Sequence, residues 1–271
     1  MIDLHSHTTA SDGQHAPRAL VALAHAAGIR TLAVTDHDTV AGLEEAALAA
    51  RELGMALVPG IELSAFVHGR EVHVLGHFLR PGDLAIAHFA QKLKDERRTR
   101  MEAMVQKLRD MGYPVRMEEV VALAGPAHLA RPHLARVLVE KRLCTDVKDA
   151  FDRLLGDGKP AFVPRFKLTG QDAVALIRGA GGTATVAHAA VSRLDRHDIA
   201  ALKEAGLAGL EVIHSDHDPG ARERLLGLSR ELDLVPTAGS DFHGEKINPG
   251  RRLGNVTMDG AALERLRARA G

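Results

Sequence analysis

Apolar positions along the chain fall into short runs separated by stretches of helical spacing, and most of the runs end in polar residues. Ile2 to Leu4 is the first run, and it leads into His5 and His7. From Ala16 to Ala27 the spacing predicts a helix, with Pro17 in its first turn and Gly28 as a stop. Thr31 to Thr35 predicts a strand opening onto Asp36-His37-Asp38, and Ala41 to Leu53 an alanine-rich helix closed by Gly54. Met55 to Val58 and Glu71 to Phe78 read as further strands, the first followed by Pro59-Gly60-Ile61-Glu62 and the second carrying His73 and His77. Asp83 to Asp110 is charged and helical, and short helical patterns continue to about Leu155 with no convincing strand. Alternation resumes with strands over 183–187, 209–213 and 234–238, which end in His188, His214 and Gly239-Ser240-Asp241-Phe242-His243. Helices are expected over 171–179, 196–205 and 221–232, and a last strand near 253–257 precedes a C-terminal helix.

Strands that alternate with helices imply a parallel sheet with right-handed crossovers. His5/His7, His37, Glu62, His188, His214 and Asp241/His243 all follow the carboxyl end of a predicted strand. In a barrel of parallel strands those ends share one face, where active sites sit. An open sheet also binds ligands at its carboxyl ends, but a site fed by six or seven strands closes more readily in a barrel. The expected fold is α/β, a (β/α) barrel of about seven strands over 1–90 and 166–271, interrupted by a helical insertion over 91–165.

Composition narrows the function. With 271 residues and 45% hydrophobic content the chain can bury a sizeable core, and seven Phe, one Tyr and no Trp make that core aliphatic. Lys+Arg and Asp+Glu balance at 35 each, so no global basic field argues for a general nucleic-acid binder. The single Cys144 excludes an intrachain disulfide and a cysteine-built zinc site. No apolar run approaches the ~18 residues of a membrane span, and the acidic, His-rich start does not resemble a secretory leader. A cytoplasmic protein is expected, with no membrane attachment and no stable protein partner.

The 16 histidines need an explanation. In an extended backbone His5 and His7 point to the same side, and Asp12, in the turn-like Ser11-Asp12-Gly13, can bring a carboxylate to the same place. Imidazole and carboxylate without thiolate suit Zn, Mn or Fe. Taken singly, each residue has an ordinary structural role: Asp241 as a helix N-cap, His73 as a hydrogen-bonded core histidine. Together, so many polar groups on one barrel face would be costly to bury without cations. One catalytic zinc uses about three protein ligands. The larger set here suits two or three metals, with a carboxylate such as Glu62 bridging two of them. Paired metals typify phosphoryl-ester hydrolysis.

His5-x-His7 with Ser11-Asp12-Gly13, Thr35-Asp36-His37, Pro59-Gly60-Ile61-Glu62, Val72-His73-Val74-Leu75-Gly76, Ala187-His188 and Ser240-Asp241-x-His243 resemble, in order, the motifs of the PHP family (polymerase and histidinol phosphatase). The resemblance implies a distorted seven-stranded barrel and a two- or three-metal centre. His5, His7, Asp12, His37, Glu62, His73, His188, Asp241 and His243 fall on the family's ligand positions. Manganese is the favoured ion, with zinc, iron and magnesium as alternatives. Ala189 stands where the family commonly has Pro.

Within the insertion, Ala130-Arg131-Pro132-His133-Leu134-Ala135-Arg136, Phe151-Asp152-Arg153 and Gly158-Lys159-Pro160-Ala161-Phe162-Val163-Pro164-Arg165 resemble a narrower branch. That branch contains bacterial 3′,5′-nucleoside bisphosphate phosphatases and enzymes acting on RNA 5′ ends, and the resemblance implies a distorted (β/α)7 barrel whose helical insertion covers the barrel mouth. Arg131, Arg136, Lys159, Arg165 and Lys167 offer donors to phosphate oxygens, and His133 joins them as a substrate-binding candidate. The run Lys92 to Arg100 is expected to be a solvated face. His77, His214 and His217 are expected near the barrel mouth, the last two as proton donors. His25, His68, His88, His128 and His197 read as structural or solvated. The expected activity is removal of the 3′-phosphate from a nucleoside 3′,5′-bisphosphate, a small phosphorylated nucleotide. Alternatives are 5′→3′ exonuclease action on short RNA or DNA, and a non-catalytic regulatory barrel.

Overall fold

A computed structural model describes residues 1–124 and 129–271; His128 lies outside the described residues. The chain divides into two compact units, Met1–Ala90 with Lys167–Gly271, and Gln91–Phe166.

The first unit is built on one seven-stranded sheet whose strands lie side by side in chain order. They are β1 (Ile2–Asp3), β2 (Thr31–Val34), β3 (Ala56–Val67), β4 (Arg70–His77), β5 (Thr183–Val186), β6 (Gly209–His214) and β7 (Val235–Gly239). The chain beyond β7 bonds to the chain beyond β1: Leu4 N–H donates to Ala238 O (3.1 Å), Asp241 N–H to His5 O (2.9 Å) and His7 N–H to Phe242 O (3.0 Å). These bonds nearly close the sheet into a barrel. Helices α1 (Pro17–Ala26) and α2 (Leu43–Glu52) follow β1 and β2, and the long α3 (Leu84–Asp110) follows β4.

Two expectations need correction. The sheet is not wholly parallel, because β4 runs antiparallel to both β3 and β5. Its cause is the two-residue turn His68-Gly69, whose φ angles of 49° and 79° are both positive. That is the hairpin turn matched to strand twist, and a connection so short can only join antiparallel strands. In addition, residues 253–257 form no strand. Gly254 turns the chain with φ 81°, and only Thr257 Oγ1 and Met258 N–H bond to Ile2.

The strand faces turned away from the barrel axis are apolar and pack on helices. Ile61, Leu63, Val74, Val186 and Leu210 meet Ile177 and Leu202 in one cluster, while Leu32 and Val34 meet α1 and α2 in another. The helices over this second half are α7 (Gly170–Gly179), α8 (Arg196–Glu204), α9 (Pro219–Glu231) and α10 (Gly260–Arg267). Three of them start on an aspartate that caps the first turn: Asp195, Asp218 and Asp259.

The second unit holds the later part of α3 with α4 (Met117–Ala124), α5 (Arg131–Glu140), α6 (Val147–Ala150) and a π-helical turn over Phe151–Leu155. It has a core of its own, in which Met104, Leu108, Val120, Leu134, Leu138 and Leu155 are buried together. None of the described helices is long and apolar enough to cross a membrane.

Candidate metal centre

The extended chain beyond β1 puts His5 and His7 on the inner side of the barrel, where both side chains are fully buried. Two glycines make room for them. A Cβ on Gly239 would lie 2.2 Å from His5 Cβ, and one on Gly13 would lie 2.4 Å from His7 O. Asp36 then fixes the loop that carries Asp12. Its carboxylate accepts from Thr8 N–H (2.7 Å), Thr8 Oγ1 (2.7 Å) and Ser11 Oγ (2.6 Å).

Glu62 stands at the centre. It does not follow a strand end, as its sequence position suggested; it lies within β3, where pairing to the β2 side gives way to pairing with β4. Its two carboxylate oxygens face different imidazoles. Oε1 lies 2.9 Å from His73 Nδ1 and 3.2 Å from His188 Nε2. Oε2 lies 3.3, 3.2 and 3.2 Å from His5 Nε2, His7 Nε2 and His37 Nδ1. Asp241 Oδ1 faces His5, His7 and His243 at 3.3, 3.2 and 3.3 Å. Further out, Asp12 reaches His243 Nε2 at 3.3 Å and the rings of His7 and His37 at 3.7 and 3.8 Å.

The nine residues assigned as ligand candidates from the sequence thus come together in one region, as overlapping groups. His5/His7/Glu62/Asp241, His37/Glu62/His73 and His7/Asp12/His37/His243 each bring their ligand atoms within 4.8 Å of one another. His188 joins through Glu62.

These residues fit bound metal. Ligand atoms about 2.1 Å from one ion lie ~3.0 Å apart at right angles and ~3.4 Å apart at tetrahedral angles. The inner group has that spacing. Glu62 Oε2, Asp241 Oδ1 and His37 Nδ1 are also buried without a well-directed hydrogen-bond partner among the described residues, a costly arrangement unless a cation satisfies them. Two ligand candidates sit in left-handed backbone, His188 at φ 28° and Asp241 at φ 53°. Such strain of order 1–3 kcal/mol collects at functional sites.

Electrostatics agrees. Burial by itself would lower His7 and His73, but the Asp241 and Glu62 carboxylates outweigh it, raising His7 to about 9 and His73, chiefly through Glu62, to about 10. Burial would likewise raise Glu62 and Asp241, yet the surrounding histidines hold both well below the usual carboxylate range. His37 goes the other way, lowered to about 4 by burial. The carboxylates thus retain protons on His7 and His73, and a divalent cation competes for the same oxygens.

The other candidates divide. His214 is buried, accepts Asp216 N–H at Nδ1 (3.1 Å) and so turns a protonated Nε2 towards Asp241 Oδ2 (3.4 Å). His217 donates from Nδ1 to Val212 O (2.9 Å) and accepts Ala190 N–H at Nε2 (3.3 Å), so main chain occupies both of its nitrogens. His77 is not at the mouth. Because β4 runs backwards, its carboxyl end is at the opposite end of the barrel, level with the start of β5, and His77 Nε2 donates to Leu4 O (2.9 Å).

In the second unit Arg131 is engaged internally, by Asp157 (2.6 Å), Leu155 O (3.2 Å) and the rings of Phe151 and Phe162. His133 Nδ1 accepts Ala130 N–H (3.1 Å) at the start of α5. Arg136, Lys159 and Arg165 are exposed. Arg100, expected on a solvated face, is half-buried and donates to Val163 O (2.7 Å). Burial lowers its pKa, and the nearby charges of Arg131 and Arg165 add to that effect, which marks a cluster of guanidinium groups.

Sequence reasoning missed two residues on the barrel. Glu211, a charge inside the otherwise apolar β6, left that one signal; its carboxylate contacts His5 Nδ1 (3.1 Å). Arg251, in a loop without any pattern, pairs with Asp241 and with Asp216 (2.5 Å). With His37, Glu62, His73, His188, Val191, Asp241 and His243 it lines a cavity of about 260 Å³.

Comparison with known proteins places this geometry. The PHP domain matches residues 3–99. The chain is 36% identical over 245 residues to a 5′-3′ exoribonuclease of Haemophilus influenzae, covering 89% of each chain. It is 32% identical over 260 residues to a 3′,5′-nucleoside bisphosphate phosphatase of Chromobacterium violaceum, covering 94% of this chain and 91% of that one. A crystal structure from Bifidobacterium adolescentis, described as a metal-dependent phosphoesterase, superposes with a TM-score of 0.79 at 32% identity, over 99% of this chain and 96% of that chain.

Proposed function

The chain belongs to the PHP family of metal-dependent phosphoesterases, and from that premise we propose that it is a hydrolase removing the 3′-phosphate of a nucleoside 3′,5′-bisphosphate, with nucleoside 5′-monophosphate and phosphate as products. The observation that carries this reading is the division of Glu62 between two sets of imidazoles. A carboxylate so placed would serve two ions. His5, His7 and Asp241 would hold one with it, His73 and His188 the second, and Asp12, His37 and His243 would hold a third. Nitrogen and oxygen donors without thiolate suit Mn2+, Zn2+ and Fe2+ alike, and Mn2+ is the ion we propose.

Bound ions at such a centre supply Lewis acidity, lowering the pKa of water towards neutrality and offsetting charge on the phosphate oxygens. The protein's own groups do the rest. Arg251 holds the Asp241 carboxylate in place and adds a positive charge to the wall of the cavity. The cavity's size suits a phosphate head group with its attacking water. That water's oxygen bonds to phosphorus in line as the ester P–O bond breaks, and one of its protons passes to solvent. The leaving oxygen takes its proton from solvent, because the ring nitrogens of His214 and His217 are already engaged. Among the exposed cations of the second unit, Lys159 and Arg165 are the proposed donors to the phosphate that is not cleaved, and Arg100 lies close enough to Arg165 to feel its charge.

A second reading, 5′→3′ exonuclease action on short RNA, is favoured by the 36% identity to the Haemophilus influenzae protein. Both readings use the same chemistry and differ in how many phosphates are held. Lys159→Ala should lower kcat/KM on a 3′,5′-bisphosphate by about 1.5–3 kcal/mol while leaving a small activated monoester nearly unchanged. Equal losses on both substrates would remove the second-phosphate grip. A preference for oligonucleotides that grows with length and falls steeply with salt would replace the phosphatase by the exonuclease.

A further inference from the structure

Glu211 belongs to a fourth cluster, with His5 and His214, whose ligand atoms also lie within 4.8 Å of one another. Hydrogen-bond direction separates this cluster from the other three. The main-chain N–H of Asp216 can only donate, so it occupies the lone pair of His214 Nδ1 (3.1 Å) and leaves the proton on Nε2. No lone pair of His214 remains for an ion.

Glu211 itself is fully spent on two partners. Its Oε1 and Oε2 lie 3.1 and 3.3 Å from His5 Nδ1, and Oε2 accepts the main-chain N–H of His188 at 2.5 Å. The carboxylate is buried, and Gly239 leaves space for it, since a Cβ there would stand 2.5 Å from Oε1. An ionised carboxylate only accepts, so His5 Nδ1 must carry a hydrogen. His5 Nε2 is thereby the nitrogen that faces Glu62 and Asp241. The same carboxylate holds His188 in its left-handed backbone, φ 28°, with the ring's Nε2 3.2 Å from Glu62 Oε1.

We propose that Glu211 is a positioning residue of the metal centre, which through one buried carboxylate on β6 fixes the ring nitrogen that His5 presents and the backbone that aims His188. It touches neither ion nor substrate. One residue therefore orients a ligand on each side of the Glu62 bridge, so that the two sites are coupled without sharing a further ligand. This rests on the metal-centre reading above, and the following experiment separates the two.

Divalent-ion affinity is measured by competition with a chromophoric chelator on wild-type protein, Glu211→Gln and Glu211→Asp, with thermal melting as a check on folding. In parallel, ring 15N and 1H spectra follow the His5 Nδ1 proton with and without Zn2+. Loss of such an outer partner typically weakens binding by roughly 10–100-fold, and that loss is expected for the two tightest sites together in Glu211→Gln. Glu211→Asp should recover part of it. Wild type should show a slowly exchanging His5 Nδ1 proton in both states, and Glu211→Gln a faster one. A folded Glu211→Gln protein that binds every ion as wild type does would overturn the proposal. So would a wild-type His5 without an Nδ1 proton, whatever the variants do. Wild type that binds no divalent ion would instead refute the metal-centre reading, and the His5 proton would still decide the role of Glu211.

Discussion

The candidate site has an inner and an outer part, and they are built differently. His5, His7, Glu62 and Asp241 have side chains no more than 5% exposed, with contacts of 3.1–3.3 Å. They hang from main chain bonded on both sides. Around Asp12 the contacts lengthen to 3.3–3.8 Å, and the Asp12 side chain is 51% exposed on a loop. Chemically similar donors thus form a preset pocket in one place and an adaptable one in the other. The difference teaches that ligand type says which ion can bind, whereas backbone support says how firmly. An ion in the inner part would exchange slowly. One in the outer part would exchange with the medium and with substrate.

The sharpest way to break this comparison is to remove the carboxylate common to two groups. Glu62→Ala should deplete more than one ion and lower kcat by upwards of ~10³, more than a single electrostatic group usually supplies. Elemental analysis of the folded variant checks it, and full occupancy would end the bridging assignment.

A second test asks whether burial or the carboxylates govern the inner imidazoles. His77 is as buried as His7 but hydrogen-bonds to a main-chain carbonyl instead of a carboxylate, and burial, with the His5 charge adding to it and Glu211 opposing it, lowers it to about 4 from an ordinary 6.5. The sign follows directly. The unfolded chain takes up a proton near pH 6.5 and the folded one only near pH 4, so this stabilisation is complete above pH 6.5 and is lost as pH falls towards 4. By that linkage the loss reaches about 3 kcal/mol. Denaturant unfolding of His77→Gln should show a shallower fall in stability over this window. An unchanged slope would mean that His77 is protonated in the native protein.

The smallest effect compares the two parts directly. His5→Asn and His243→Asn should both fold, since the cores around them are aliphatic. The inner substitution should weaken metal binding about tenfold more than the outer one, ~1.4 kcal/mol. Equal losses in a chelator competition would show that the two parts differ in exposure but not in affinity.

Much of this was legible in the sequence, for identifiable reasons. Strand ends followed by His or Asp put the histidines on one face, because a barrel collects the ends of its parallel strands. The direction of β4 was not legible, since alternation with period two reads the same for a strand running either way. That one reversal moved His77 to the far end of the barrel and kept Glu62 inside a continuous strand. Tautomers were also beyond reach. That His214 and His217 are both held by main chain depends on Asp216 and Ala190, whose amides carry no sequence signal. In the insertion a list of cations could not separate Arg131, captured by an aspartate 26 positions away, from the exposed Arg136 and Lys159.

The position of Glu62 has a further consequence for the cost of loading the site. Its amide donates to Asp36 O (3.1 Å), its carbonyl accepts from Asp38 (2.8 Å), and its neighbours in β3 pair with β4. Ordering a glutamate side chain costs about 1.5–2 kcal/mol of conformational freedom. Here that entropy is lost when the barrel folds, together with the freedom of the strand that carries it. An arriving ion meets a carboxylate already held still, so the free energy of coordination goes into affinity rather than into immobilising the ligand.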